Sequence, residues 1–150
     1  MHAMQSLRTL LTVLPGRLKT IVPESAAAKS DAGWSVREEL GHLVDSAANN
    51  HQRIVRAQVE ENPAMPGYDG EKWVALHAYQ QRDWNEVIVM WEQLNRLLLA
   101  AAEAVPDEGW SRTCTIAGSK PLTLQFVLED YMNHMREHLR HMKVEVDDLA

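Results

Sequence analysis

Four stretches of the chain place their apolar residues three and four positions apart, a spacing that lines one face of an α-helix and scatters across both faces of a strand. Leu7, Leu10, Leu11, Leu14, Leu18 and Ile21 make the first stripe, and Leu40, Leu43, Val44, Ala47 and Ile54 the second. Val87, Met90, Trp91, Leu94, Leu97 and Leu98 make the third, and Phe126, Val127, Leu128, Tyr131, Met135, Leu139 and Met142 the fourth. A helix with one apolar stripe has to bury it against another element, so four of them in 150 residues predict an all-α four-helix bundle. The length suits one hydrophobic core, and no repeat, low-complexity tract or long linker divides it, so 1–150 reads as a single domain.

The boundaries have local causes. Pro15-Gly16 should bend or break the first stripe into two shorter helical pieces in line. Residues 23–33 form a connection with room for one helical turn around Ala26-Ala27-Ala28. Ser35 followed by Glu38 is a capping box, with Trp34 as a staple residue, and it starts a helix that runs to about Glu60. Two prolines and a glycine in 62–67 stop it, and a long connection carrying Tyr68, Asp69 and Trp73 leaves room for a crossover before the third helix, about 83–104. Alternation from Trp110 to Ile116 and the turn Ala117-Gly118-Ser119 predict a small two-stranded ribbon before the last helix, about 123–142.

Composition removes several classes of function. With 15 Lys+Arg against 21 Asp+Glu the net charge is -6, which disfavours a nucleic-acid binder or an electrostatic membrane anchor. The longest apolar run, Leu97 to Ala102, is far below the roughly 20 residues of a membrane span, and no targeting segment is visible at the start. One cysteine, Cys114, permits no internal disulfide and no thiolate metal site, and fits a reducing cytoplasm. A soluble cytoplasmic protein is expected. Its seven histidines stand out.

His134 and His138 lie one helical turn apart, where two imidazoles can reach one ion, and His141 extends the stripe. The same spacing also describes a polar helix face that happens to be rich in histidine, and two ligands make no site without a third from another helix. His42 is the candidate third. It is flanked by apolar residues and followed by Ser46, Asn49 and Arg53 along one side of its helix. That polar line suits the wall of a pocket or a solvated face equally.

The segment Trp34-Ser35-Val36-Arg37-Glu38-Glu39-Leu40-Gly41-His42-Leu43-Val44-Asp45-Ser46 resembles the "WSxxEvlxHlxDs" stretch of the DinB-like superfamily. With Asn49 and Arg53 it looks most like the YfiT-like branch, whose members carry the description of metal-dependent hydrolases. Tyr68-Asp69 with Trp73 matches that branch's "YDxxxW", and Lys120-Pro121-Leu122-Thr123-Leu124 resembles its strand-to-helix entry. Tyr131 to Met142 is similar to its closing "YxxHxxxHxxHI". The resemblance covers about Leu7 to Met142. It implies helices in up-down-down-up order and a metal held by His42, His134 and His138, with His141 a further family histidine outside the ligand set. Gly41 and Glu137 depart from it, since the branch often has histidine at both positions.

The resemblance further implies a zinc or nickel ion with an open position, which would activate water for hydrolysis or ionise a low-molecular-weight thiol for transfer to a small-molecule substrate. Asp130, one turn before His134, and Asp45, three residues after His42, are the candidate catalytic carboxylates. Asn49 and Arg53 are candidates for binding a substrate carboxylate, and an ion pair is an equal use for the arginine. Tyr68 and Trp73 read as packing of the crossover, Trp84, Trp91 and Trp110 as core, Cys114 as structural, and His2, His51 and His77 as surface. The second expectation is a non-catalytic bundle in which the metal ties helices together and a homodimer face carries the function.

Overall fold

Each long helix after the first begins on a side chain that caps it. The computed structural model describes residues 2–31 and 33–146. In it, Ser35 accepts from the Glu38 backbone N–H at 3.1 Å, and the Glu38 carboxylate accepts from the Ser35 N–H at 2.9 Å, which opens α3 (Val36–Val59). Asp83 caps α5 (Trp84–Glu103) through the Glu86 N–H, and Thr123 caps α6 (Leu124–His141) through the Phe126 N–H. The expected short turn is α2 (Pro23–Ala27).

The expected break at Pro15-Gly16 does not occur, and α1 (His2–Lys19) runs through it. Pro15 forfeits one backbone hydrogen bond, a cost of about 3 kcal/mol. Leu7, Leu10, Leu11, Leu14 and Leu18 are all buried, each contributing roughly 1.5–3 kcal/mol, and they hold both halves against the same core.

Helix α1 packs on α5 and α6, and so does α3. A few contacts fix their directions. Arg8 pairs with Glu103 at 2.8 Å and the Trp84 indole donates to the Leu18 carbonyl, so α1 and α5 are antiparallel. Gln58 donates to the Ala101 carbonyl while Arg37 donates to that of Gln80, so α3 and α5 are parallel. Glu39 meets His138 and Ser46 meets His134, so α3 and α6 are antiparallel. Arg136 reaches Ser6 and Arg17 reaches the Glu145 carbonyl, which aligns α6 with α1. The order is up-down-down-up.

Two parallel neighbours in sequence, α3 and α5, oblige the chain to travel back along α3 before α5 can start. That return holds β1 (Ala64–Met65), α4 (Gly70–His77) and a 3-10 turn at Tyr79–Gln81. Helix α4 replaces what the sequence predicts as plain connection; Asp69 caps it through the Lys72 N–H. The predicted ribbon is β2 (Thr113–Ile116) antiparallel to β3 (Leu122–Thr123), and β1 adds a third strand parallel to β2. Trp84, Trp91, Trp110 and Cys114 are buried. None of the described helices is long and apolar enough to cross a membrane.

Candidate metal centre

Because α3 and α6 run in opposite directions, residues spaced by one turn on each helix meet as rungs. Glu39 faces His138, His42 sits between His134 and His138, and Ser46 faces His134. Two Nε2···Nε2 distances are 3.1 Å, His42 to His134 and His138 to His134. Ligand nitrogens 2.0–2.1 Å from one tetrahedral ion stand about 3.4 Å apart, so the three rings are drawn to a spacing one divalent ion would fit.

The remaining ring nitrogens tell the same story. His138 Nδ1 lies 2.6 Å from Glu39 Oε2, the carboxylate contact that holds a ring with its proton on Nδ1 and its lone pair on Nε2. His134 Nδ1 is 3.4 Å from Ser46 Oγ. His42 Nδ1 is buried without a partner among the described residues, so that edge of the ring is held by packing alone. Gly70 lies against that ring: a Cβ there would fall 2.9 Å from His42 Cε1. Burial, and then the neighbouring His138 and His134 rings, push the His42 imidazole down to about 4. Burial likewise lowers His134, with His138 adding to it and Asp130, Glu137 and Glu39 opposing. Both rings are therefore neutral at pH 7, the state a ligand needs.

Aromatic rings close the flanks. The Trp34 ring centroid is 5.1 Å from that of His42 and 6.5 Å from that of His138, and Tyr68 lies 6.5 Å from His42 on the returning chain. Trp73 packs on Tyr68 at 5.2 Å. The half-exposed His141 brings Nδ1 within 4.0 Å of Glu39 Oε1, forming a second group of possible donors with Glu39 and His138.

Asp45 points elsewhere. It is 2% exposed, accepts from the Tyr79 hydroxyl at 2.7 Å and lies 2.8 Å from His77 Nδ1. Burial raises its carboxyl, against the Tyr79 hydrogen bond and the His77 charge. His77, read from sequence as a surface residue, is thus the partner of a buried carboxylate. Asn49 donates to the Asp45 carbonyl of its own helix, and Arg53 is half-buried with a bond to Asn50. Asp130 is exposed. The sequence reading passes over Glu39 and Gly70 and uses Ser46 only as part of a polar line. Glu39 carries a usable signal, since it lies three residues before His42 on the same helical face.

Comparison with known proteins bears on the same chain. The family model for the DinB superfamily matches residues 5–142. The Bacillus subtilis protein named "Putative metal-dependent hydrolase YfiT" is 27% identical over 139 residues, covering 89% of this chain and 78% of its own. Two Oceanobacillus iheyensis proteins bearing the same general name are 24% and 43% identical, over 76% and 73% of this chain; the chain spans only 65% and 63% of their lengths. The solved structure of YfiT from Bacillus subtilis, described as having "an unusual four-helix bundle topology", superposes with a TM-score of 0.71 at 23% identity, over 96% of this chain and 87% of that one. With its fold shared over almost its whole length and the family model spanning all four long helices, the chain belongs to the DinB superfamily.

Proposed function

We propose that this chain is a metal-dependent enzyme acting on a small molecule, with His42, His134 and His138 holding one zinc or nickel ion within a single domain spanning 1–150. The observation that carries the reading is the convergence of three imidazoles, with His134 Nε2 at 3.1 Å from Nε2 of both His42 and His138, and with burial keeping His42 and His134 neutral. An ion with three imidazole donors supplies an open position at which water, or a small thiol, becomes acidic near neutral pH. The relatives' description as metal-dependent hydrolases favours water.

The chain's own residues then have separable tasks. Glu39 accepts the His138 Nδ1 proton and fixes that ring's tautomer and angle. Ser46 restrains His134 from the other side. Trp34 and Tyr68 shield the flanks of His42 from bulk water. Asp130, exposed and one turn before His134, takes up the released proton on a carboxylate oxygen and passes it to solvent. Asp45 contributes by holding the returning chain through Tyr79 and His77.

The test is elemental analysis of protein purified without chelator or metal-affinity resin, beside a His134→Ala/His138→Ala variant. About one zinc or nickel per chain, lost in a folded variant, is the expected result, and the loaded protein is then screened for ester and amide hydrolysis and for thiol transfer. Absence of metal in the native chain even after adding zinc or nickel overturns the reading. Metal bound without turnover, together with unfolding when it is removed, would favour the non-catalytic bundle.

A further inference from the structure

One cation near the histidine cluster has no anion within ion-pair distance among the described residues. Arg53 is half-buried on α3, and its one hydrogen bond among the described residues runs from NH1 to Asn50 Oδ1 at 3.2 Å. No carboxylate of the described residues comes within ion-pair distance of it. The guanidinium has five N–H donors in a planar fork, so most of that fork is unused. A charge withdrawn from water without a counter-charge is costly, and burial accordingly lowers the Arg53 pKa.

Its position relates it to the histidines. His42, Ser46, Asn50 and Arg53 follow one another along one side of α3, and long helical side chains lean toward the helix N-terminus. The bond to Asn50 holds the guanidinium back by a turn, toward the cluster. Tyr68 fills the interval: its hydroxyl is near Ser46, its ring lies 6.5 Å from His42, and it is close enough to Arg53 for each to feel the other's charge. Ser46 in turn touches His134. A polar track therefore runs Arg53, Tyr68, Ser46, His134. Among the described residues, the one carboxylate whose charge reaches Arg53, Asp130, is exposed and makes no ion pair with it.

We propose that Arg53 receives a carboxylate of the substrate, so that the site takes an anionic small molecule with its reacting group at the three histidines and its acid end on the guanidinium. This rests on the metal-enzyme reading for the reacting end only. Asn50 aims the fork, and Tyr68 sets the distance between the two ends.

The test uses protein loaded with cobalt(II), whose thiolate charge-transfer band reports ligand binding directly. Mercapto-carboxylates with one to five methylenes are titrated, each beside its primary-amide counterpart. At one chain length the carboxylate should bind about tenfold or more tighter than the amide, the gain of a charge-assisted bidentate contact. Arg53→Met should erase that advantage and Arg53→Lys keep part of it, with amide affinity unchanged in both, which shows that the metal end and the fold survive. Equal binding of carboxylate and amide at every length, or the same advantage in Arg53→Met, overturns the proposal while leaving the metal site standing. If cobalt does not load, the metal reading fails instead, and Arg53 is tested in metal-free protein. A saturable shift of its Nε–H signal by glutarate and not glutaramide supports the receptor role; no such shift sinks it.

Discussion

Gly70 shows how closely single positions constrain the cluster. A Cβ there would meet His42 Cε1 at 2.9 Å and Nδ1 at 3.1 Å. In metal-free protein the ring is the end of a flexible side chain and can swing aside. With Nε2 committed to an ion it cannot. Gly70→Ala should therefore lower zinc affinity about ten- to a hundredfold while shifting metal-free unfolding by less than about 1 kcal/mol. Competition against a chromogenic chelator gives the first number and urea denaturation the second; unchanged affinity would mean that the ring keeps its aim in another rotamer. Gly41 is the harder constraint, because a Cβ would fall 2.2 Å from Cγ of Tyr79, an atom fixed close to the backbone. That ring occupies the space any side chain at position 41 would need. His42, His134 and His138 are legible in the sequence because helical spacing brings two of them together and the family motif supplies the third. Glu39 and Ser46 share the face of His42, yet what they touch depends on the register between α3 and α6, ninety or so residues apart, which no local pattern encodes.

At the scale of elements, the return between α3 and α5 is the part least visible in the sequence and most involved in covering the site. The capping box at Ser35 and Glu38 announces α3, and apolar stripes give the buried faces of α3, α5 and α6. Helix α4 has eight residues, begins at a glycine, and buries only Val74 among them, so it carries no stripe to detect. It ends at Ala78, held in the left-handed region at φ 52°, and its place is set by long-range contacts instead. Asp45 is the main one, taking the Tyr79 hydroxyl and His77 from either side of that turn. Tyr79→Phe removes one donor and leaves a buried carboxylate short of partners, which should cost about 1–3 kcal/mol. The loss should be local as well as global: amide exchange in α4 and the following 3-10 turn should accelerate more than in α5. Uniform acceleration would show that the return is no separate unit but unfolds only with the bundle.

For the whole molecule, the main hydrophobic core joins all four long helices and does not consist of the metal-facing side chains. Chelation should accordingly leave helical content intact, which far-ultraviolet circular dichroism checks. The metal-free bundle should nevertheless be sensitive to acid in a defined window. His42 is 7% exposed and pushed down to about 4 by burial and by two neighbouring rings, against about 6.5 in an unfolded chain. The unfolded state thus takes its proton first as pH falls. Stability from this group is complete above pH 6.5 and drains away as pH drops through 4, by roughly 3 kcal/mol in all, with His134 acting in the same direction. Carboxylates held low in the fold, such as Glu38 beside Lys29, contribute their losses only below about pH 4.5. Between pH 6.5 and 4.5 the urea midpoint of metal-free protein should therefore decline through His42 and His134, opposed by the Asp45 carboxyl that burial raises, and more gently in His42→Gln, which cannot titrate. A saturating zinc concentration should steepen the decline, because protons then compete with the ion for the same nitrogens. The same slope in the variant as in the parent across this window would mean that the ring accepts its proton inside the fold, and a dry, closely packed cluster would be wrong.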